Sequence, residues 1–352
     1  MNKLTDWIKR HQIAAFFIIT FAITWGLGFS YDAVMNKGIS LLAPLVMVAT
    51  CGPALAGIII TAVSNKQPNQ GTRKAFWIAF FVAWVLSALV FVGHNTFFNH
   101  APLSPILVGF TLVLVVPVAF VISMVFSRIP AVRNYLSSLI RLRNVWGWAF
   151  LALVIFPGLI LLSIPISSLL GRQSITSHHF PETGLVLIGL IAVKFIYQLF
   201  FFNATGEEVG WRGFALPRLQ VRTSPLIASL VLTLFWGPWH FFLWKAEGRP
   251  VLTWQYWIES YFLAHFLITL IFVWICNRAK GNILVAGITH AAMNTAFAFI
   301  PLQNMQGVNL TLLVAALVMI LADRMWKRLP SDHPAVYQAP GFSEKNIELP
   351  QQ

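Results

Sequence analysis

Long runs without a charged residue, separated by short basic or polar stretches, set the pattern of this chain. A run of about 20 apolar residues is the length that crosses the hydrocarbon core of a bilayer as a helix. Ten such runs are read, at about 13–34, 41–64, 75–94, 103–127, 146–170, 184–205, 224–244, 254–276, 282–300 and 308–323. The pattern predicts an all-α fold, a polytopic transmembrane helical bundle of about ten spans.

The stretches between the runs alternate in charge. Lys3, Lys9 and Arg10 precede the first run, Lys66, Arg73 and Lys74 follow the second, and Arg128, Arg133, Arg141 and Arg143 follow the fourth. Arg212, Arg218 and Arg222 follow the sixth, Arg278 and Lys280 the eighth, and Arg324, Lys327 and Arg328 the tenth. The intervening loops hold only Lys37, Arg172, Lys245 and Arg249. By the positive-inside rule this alternation places both termini in the cytoplasm.

Composition agrees with a membrane protein: 58% of the 352 residues are apolar and only 10% are charged. The net charge of +13 is accounted for by the basic loops, and no basic stripe with interleaved aromatics points to nucleic acid. Cys51 and Cys276 fall at different expected depths, which argues against a disulfide. The first run is too long for a signal-peptide core and lacks a small-residue cleavage site, so it is expected to stay as an anchor. The tail, residues 330–352, is rich in Pro and polar residues and is expected to be disordered in the cytoplasm. No internal repeat is visible, which lowers the odds of an inverted-repeat transporter.

The two halves differ in chemistry. The first five runs hold almost no ionisable residue near their centres, whereas the later ones hold Lys194, His240, Glu259, His265 and His290, with Glu207 and Glu208 at an edge. Polar groups inside a membrane cost about 2.5–3.5 kcal/mol for a central charge on insertion scales, so several on successive spans mark function. Three short patterns stand out. In "GEEVGWRGFALPR", Glu208 and Arg212 lie four apart on one helical face and can pair, leaving Glu207 turned away as the freer carboxylate. In "FWGPWH", Trp236 and His240 are four apart and Pro238 interrupts the backbone ladder. In "GITHAAMN", His290 and Asn294 share a face among small residues that allow close helix approach. Each has a plainer reading: a solvated loop for the acids, a histidine bonded to a neighbouring carbonyl, an asparagine joining two helices. Together, two acids, two imidazoles and a carboxamide are a set fit to activate water and steady an oxyanion.

The order EExxxR, then an aromatic four residues before His, then HxxxN resembles the CAAX prenyl protease type 2 and bacteriocin-processing (CPBP, Abi) family of intramembrane proteases. The segment "NILVAGITHAAMN" is especially similar to the family's last motif. The resemblance covers about residues 185–300, taken as the protease core; 1–184 are helices of unassigned role, and 301–329 hold the last helix. One departure is that Trp236 stands where the family's second motif has Phe, read here as a packing residue.

The resemblance implies an intramembrane endopeptidase in which Glu207 activates water with His240 assisting. His290 and Asn294 would stabilise the oxyanion, with Glu208, Arg212 and Trp236 in support. The family is commonly labelled a metalloprotease, so a zinc site of His240 and His290 with Glu207 or Glu208 stays open beside a glutamate-driven mechanism without metal, which is slightly preferred. The implied partners are a peptide or membrane-protein substrate, with or without a lipid modification, and membrane lipids, in the inner membrane of a prokaryote. The competing readings are a non-catalytic immunity or scaffold protein and a proton-coupled transporter using Lys194, Glu259 and His265. Depth poses a difficulty: His240 lies about 22 Å along its helix from Pro225, whereas Glu207 is expected near the inner edge, so they meet only if residues 206–223 re-enter the membrane or the spans break.

Overall fold

A computed structural model describes residues 3–171, 182–301 and 305–337, except for the side chains of 258–260. Every regular element among the described residues is helical. In chain order the principal helices are α1 (Gln12–Met35), the bent pair α2 and α3 (Ser40–Thr50 and Gly52–Ser64), α4 (Arg73–Phe98), the bent pair α5 and α6 (Pro105–Leu114 and Val116–Phe126), and α7 (Trp146–Leu169). They continue with α8 (Gly184–Leu219), α9 (Pro225–Trp239), α10 (Leu263–Arg278), α11 (Ile283–Phe299) and α12 (Met305–Asp323). Among the described residues, α1, α4, α7, α8 and α12 are each long and apolar enough to cross a bilayer, and each bent pair adds one span if it crosses as a unit. Helices α9, α10 and α11 are apolar but shorter. The protein is an integral membrane protein.

The bends have a simple origin. Pro53 and Pro117 stand at the start of α3 and α6, where a missing N–H costs nothing to the new helix but ends the old one, and the pairs turn by 50° and 42°. In α9, Pro238 precedes the helix end at Trp239, and His240 opens a second short helix, Phe241–Ala246. The break seen in "FWGPWH" therefore leaves His240 at a helix terminus.

Helix α8 settles the depth difficulty and corrects the expected boundary. It does not end near residue 205 but continues to Leu219 through two π-helical segments, Leu199–Glu208 and Trp211–Ala215. Glu207 thus lies twelve residues, about 18 Å, before the end of α8, close to the depth that His240 reaches from the start of α9. No re-entrant loop is needed. π segments leave carbonyls poorly matched, and side chains supply donors: Tyr135 Oη donates to the Val209 carbonyl, Thr205 Oγ1 to Phe200 and Arg218 Nη1 to Phe214 (3.0 Å for the last).

Glycines let the neighbours close on this helix. A Cβ on Gly206 would stand 2.9 Å from the Thr50 carbonyl oxygen, and one on Gly210 would stand 2.5 Å from that of Pro53, so the bend between α2 and α3 rests directly on α8. On another side Gly287 of α11 faces Ala204, its Cβ position 2.9 Å from the Ala204 Cα. Helix α11 also packs on α7, which reaches α12. Aromatic side chains fill the centre, with Trp211, Phe214, Phe16, Phe156, Trp236 and Phe272 all buried. Cys51 and Cys276 are both buried free thiols.

The tail is packed further than expected. Residues 330–337 lie against the end of α8: Gln220 Nε2 donates to the Ala335 carbonyl at 3.0 Å, the Tyr337 N–H donates to Pro217 at 3.0 Å, and the Tyr337 ring covers Arg218. The remainder of the expected disordered tail, 338–352, lies outside the described residues.

Candidate active site

Four helices converge on one buried cluster. Helix α8 brings Asn203, Glu207, Glu208 and Arg212, the end of α9 brings Trp236 and His240, α10 brings His265, and α11 brings His290 and Asn294. Glu207, Trp236, His240, His265, His290 and Asn294 line one cavity of about 1040 Å³.

The expected pair is present. Arg212 Nη1 donates to Glu208 Oε1 at 2.8 Å, and both side chains are fully buried. The guanidinium lies 4.3 Å from the Trp236 ring and 4.5 Å from the Phe272 ring, so aromatic faces supply part of what water would give it. A buried ion pair needs such support because its desolvation cost rivals its Coulomb gain. The same Glu208 oxygen accepts from His290 Nδ1 at 2.8 Å, a partnership across 82 residues. Glu208 therefore holds His290 by one ring edge and leaves Nε2 as the other.

Glu207 is held differently. Trp236 Nε1 donates to Glu207 Oε2 at 2.6 Å, the short distance of a charge-assisted bond. The expectation that Trp236 only packs is thus incomplete: its indole N–H positions the carboxylate, which a Phe could not do. His240 Nδ1 lies 2.9 Å from the Trp236 carbonyl. A carbonyl can only accept, so Nδ1 carries the proton and Nε2 is left as an acceptor, 3.8 Å from Glu207 Oε2.

Asn294 Nδ2 lies 3.5 Å from the Oδ1 of Asn203, a buried residue that the motif reading missed although a polar side chain in the run "FFNATGEE" is a signal of its own. His265 also joins the site rather than a separate pathway, its ring centre 6.0 Å from that of His240. Glu259, the other residue of the transporter reading, has its side chain outside the described residues.

Of the zinc set left open by the sequence, Glu207, His240 and His290 line the cavity, whereas Glu208 is paired with Arg212. Glu208 Oε1 is bonded to both His290 Nδ1 and Arg212, an arrangement that fixes the imidazole and leaves its Nε2 outside that bond, and among the described residues no three His, Cys, Asp or Glu side chains converge as a ligand set.

Residues 189–296 match the family model described as type II CAAX prenyl endopeptidase Rce1-like. A stretch of 145 residues is 32% identical to CAAX prenyl protease 2 of Methanococcus maripaludis, covering 40% of this chain and 52% of the relative. The chain thus spans about half the length of the curated relative it matches. The matched segment, which contains Glu207, Glu208, Arg212, Trp236, His240, His290 and Asn294, is similar to the type II CAAX prenyl endopeptidase Rce1-like family.

Proposed function

We propose that this protein is a membrane-embedded endopeptidase in which Glu207 and His240 activate water. The observation that carries the reading is the 3.8 Å separation of Glu207 Oε2 and His240 Nε2, two acceptors on the wall of one buried cavity. A water about 2.8 Å from each can donate both hydrogens at once, which turns a lone pair outward. Attack of that oxygen on a peptide carbonyl passes the water's proton to Glu207 and places negative charge on the carbonyl oxygen. Asn294 Nδ2–H and a protonated His290 Nε2 donate to that oxyanion, with Glu208 and Arg212 fixing the imidazole through Nδ1. Collapse breaks the C–N bond, and the proton held by Glu207 goes to the leaving amine, giving a carboxylic acid and an amine.

The substrate is a peptide or membrane-protein segment, and the family relationship supports trying prenylated peptides first. The charge alternation of the loops supports cytoplasmic termini and cleavage near the inner leaflet of a prokaryotic plasma membrane. The test is mass spectrometry of prenylated and unmodified peptides incubated with the protein in liposomes, wild type against Glu207→Gln. New peptide termini from wild type alone support the reading, and equal products from both proteins remove Glu207 from the role of base.

A further inference from the structure

A second polar group lines the same cavity, away from the acids. Lys194 sits on α8, thirteen residues before Glu207, with its Nζ 4.6 Å over the Phe98 ring and 5.7 Å from the Tyr197 ring. Beside it His94, in the last turn of α4, is stacked on Tyr197 at 3.7 Å and on Phe98 at 4.9 Å. His94 is only 4% exposed, yet neither ring nitrogen has a hydrogen-bond partner among the described residues. Among the described residues Lys194 has no carboxylate within ion-pair distance, although both residues line the cavity that holds Glu207 and His240.

Such a group is costly to leave alone. A cation within a membrane-spanning helix is expensive, and a buried imidazole without a partner forfeits its hydrogen bonds. The aromatic rings hold the ammonium in place but supply no negative charge. An ammonium and an imidazole N–H side by side match the two oxygens of a carboxylate.

We infer that Lys194 and His94 form a subsite for a carboxylate carried by the bound polypeptide. The inference rests on the peptidase reading for the identity of the occupant, since the subsite and Glu207 share one cavity. Thirteen helical residues separate the two by about 20 Å. Extended chain covers at most about 3.3–3.6 Å per residue, so the carboxylate lies about six residues from the bond that Glu207 addresses. A free C-terminus and an acidic side chain at that distance present the same chemistry.

The test measures binding with the full-length Glu207→Gln protein in phosphatidylcholine nanodiscs, so that it is independent of cleavage. The probes are fluorescein-labelled apolar peptides of about twelve residues: one with a free C-terminal carboxylate, its C-terminal amide, and the amide carrying a single Asp. Anisotropy is expected to show a carboxylate form binding roughly tenfold tighter than the plain amide. Lys194→Met in the same background should abolish the difference while leaving the amide's Kd within about threefold, which shows that the fold and the cavity persist. Preference for the free terminus or for the Asp peptide identifies the source of the carboxylate. Equal binding of acid and amide, no binding of any peptide, or a preference that survives Lys194→Met overturns the inference. So does Lys194-dependent retention of phosphatidylglycerol without any peptide preference, which reassigns the group to a lipid phosphate. Absence of cleavage by the wild type would count against the peptidase reading alone.

Discussion

Replacing Trp236 by Phe separates the two roles that this side chain can have. The substitution keeps an aromatic ring between Arg212 and the cavity, and it removes the single N–H that reaches Glu207 Oε2 at 2.6 Å. A hydrogen bond to a charged group contributes about 1.5–3 kcal/mol net. If that bond fixes the carboxylate for its work on water, kcat should fall roughly ten- to hundredfold, at 1.36 kcal/mol per decade, with KM nearly unchanged. Trp236 is buried, so the smaller ring also costs packing, about 1–3 kcal/mol, which lowers the thermal midpoint without unfolding the protein. The assay is steady-state peptide cleavage in liposomes, paired with a melting curve of the detergent-solubilised protein. A variant that melts lower but keeps kcat within about threefold would show that Trp236 acts by packing alone and that another group positions Glu207.

Two further substitutions test the frame around the site. Arg212→Met leaves Glu208 buried without its cation, which costs about 3–5 kcal/mol when one partner of a buried pair is lost; the melting midpoint should drop sharply, and an unchanged midpoint would show that the pair is dispensable. Gly210→Ala places a methyl group 2.5 Å from the Pro53 carbonyl oxygen and should cost about 1–3 kcal/mol, whereas Gly158→Ala, which meets nothing within 4 Å, serves as the control. Equal melting of the two glycine variants would refute the close contact between α8 and the bend of α2 and α3.

The hydrophobic pattern made the helices legible, because each apolar run coincides with a helix or a bent pair. It could not tell which runs cross the membrane independently: α9, α10 and α11 are short, and Pro53 and Pro117 turn two runs into angled pairs. The Glu208–Arg212 pair was readable because i,i+4 spacing is a property of one helix. The depth of Glu207 was not, because π turns carry α8 through a stretch of glycines and charges that reads as a loop. Contacts between helices were likewise hidden. Nothing local in the sequence says that His290 bonds Glu208, that the Trp236 indole turns toward Glu207, or that His94 stacks on Tyr197. The motif residues nevertheless come together, since each sits at a position where an intramembrane polar group needs a partner from another helix.

The central claim is that Glu207 and His240 activate water directly. It is tested most directly by the rate of peptide cleavage in liposomes, measured for wild type before and after exhaustive zinc chelation and for Glu207→Gln in parallel. The account expects wild-type cleavage to persist after chelation and to disappear in Glu207→Gln. Cleavage that stops on chelation and returns with added zinc, or that continues in Glu207→Gln, would contradict it.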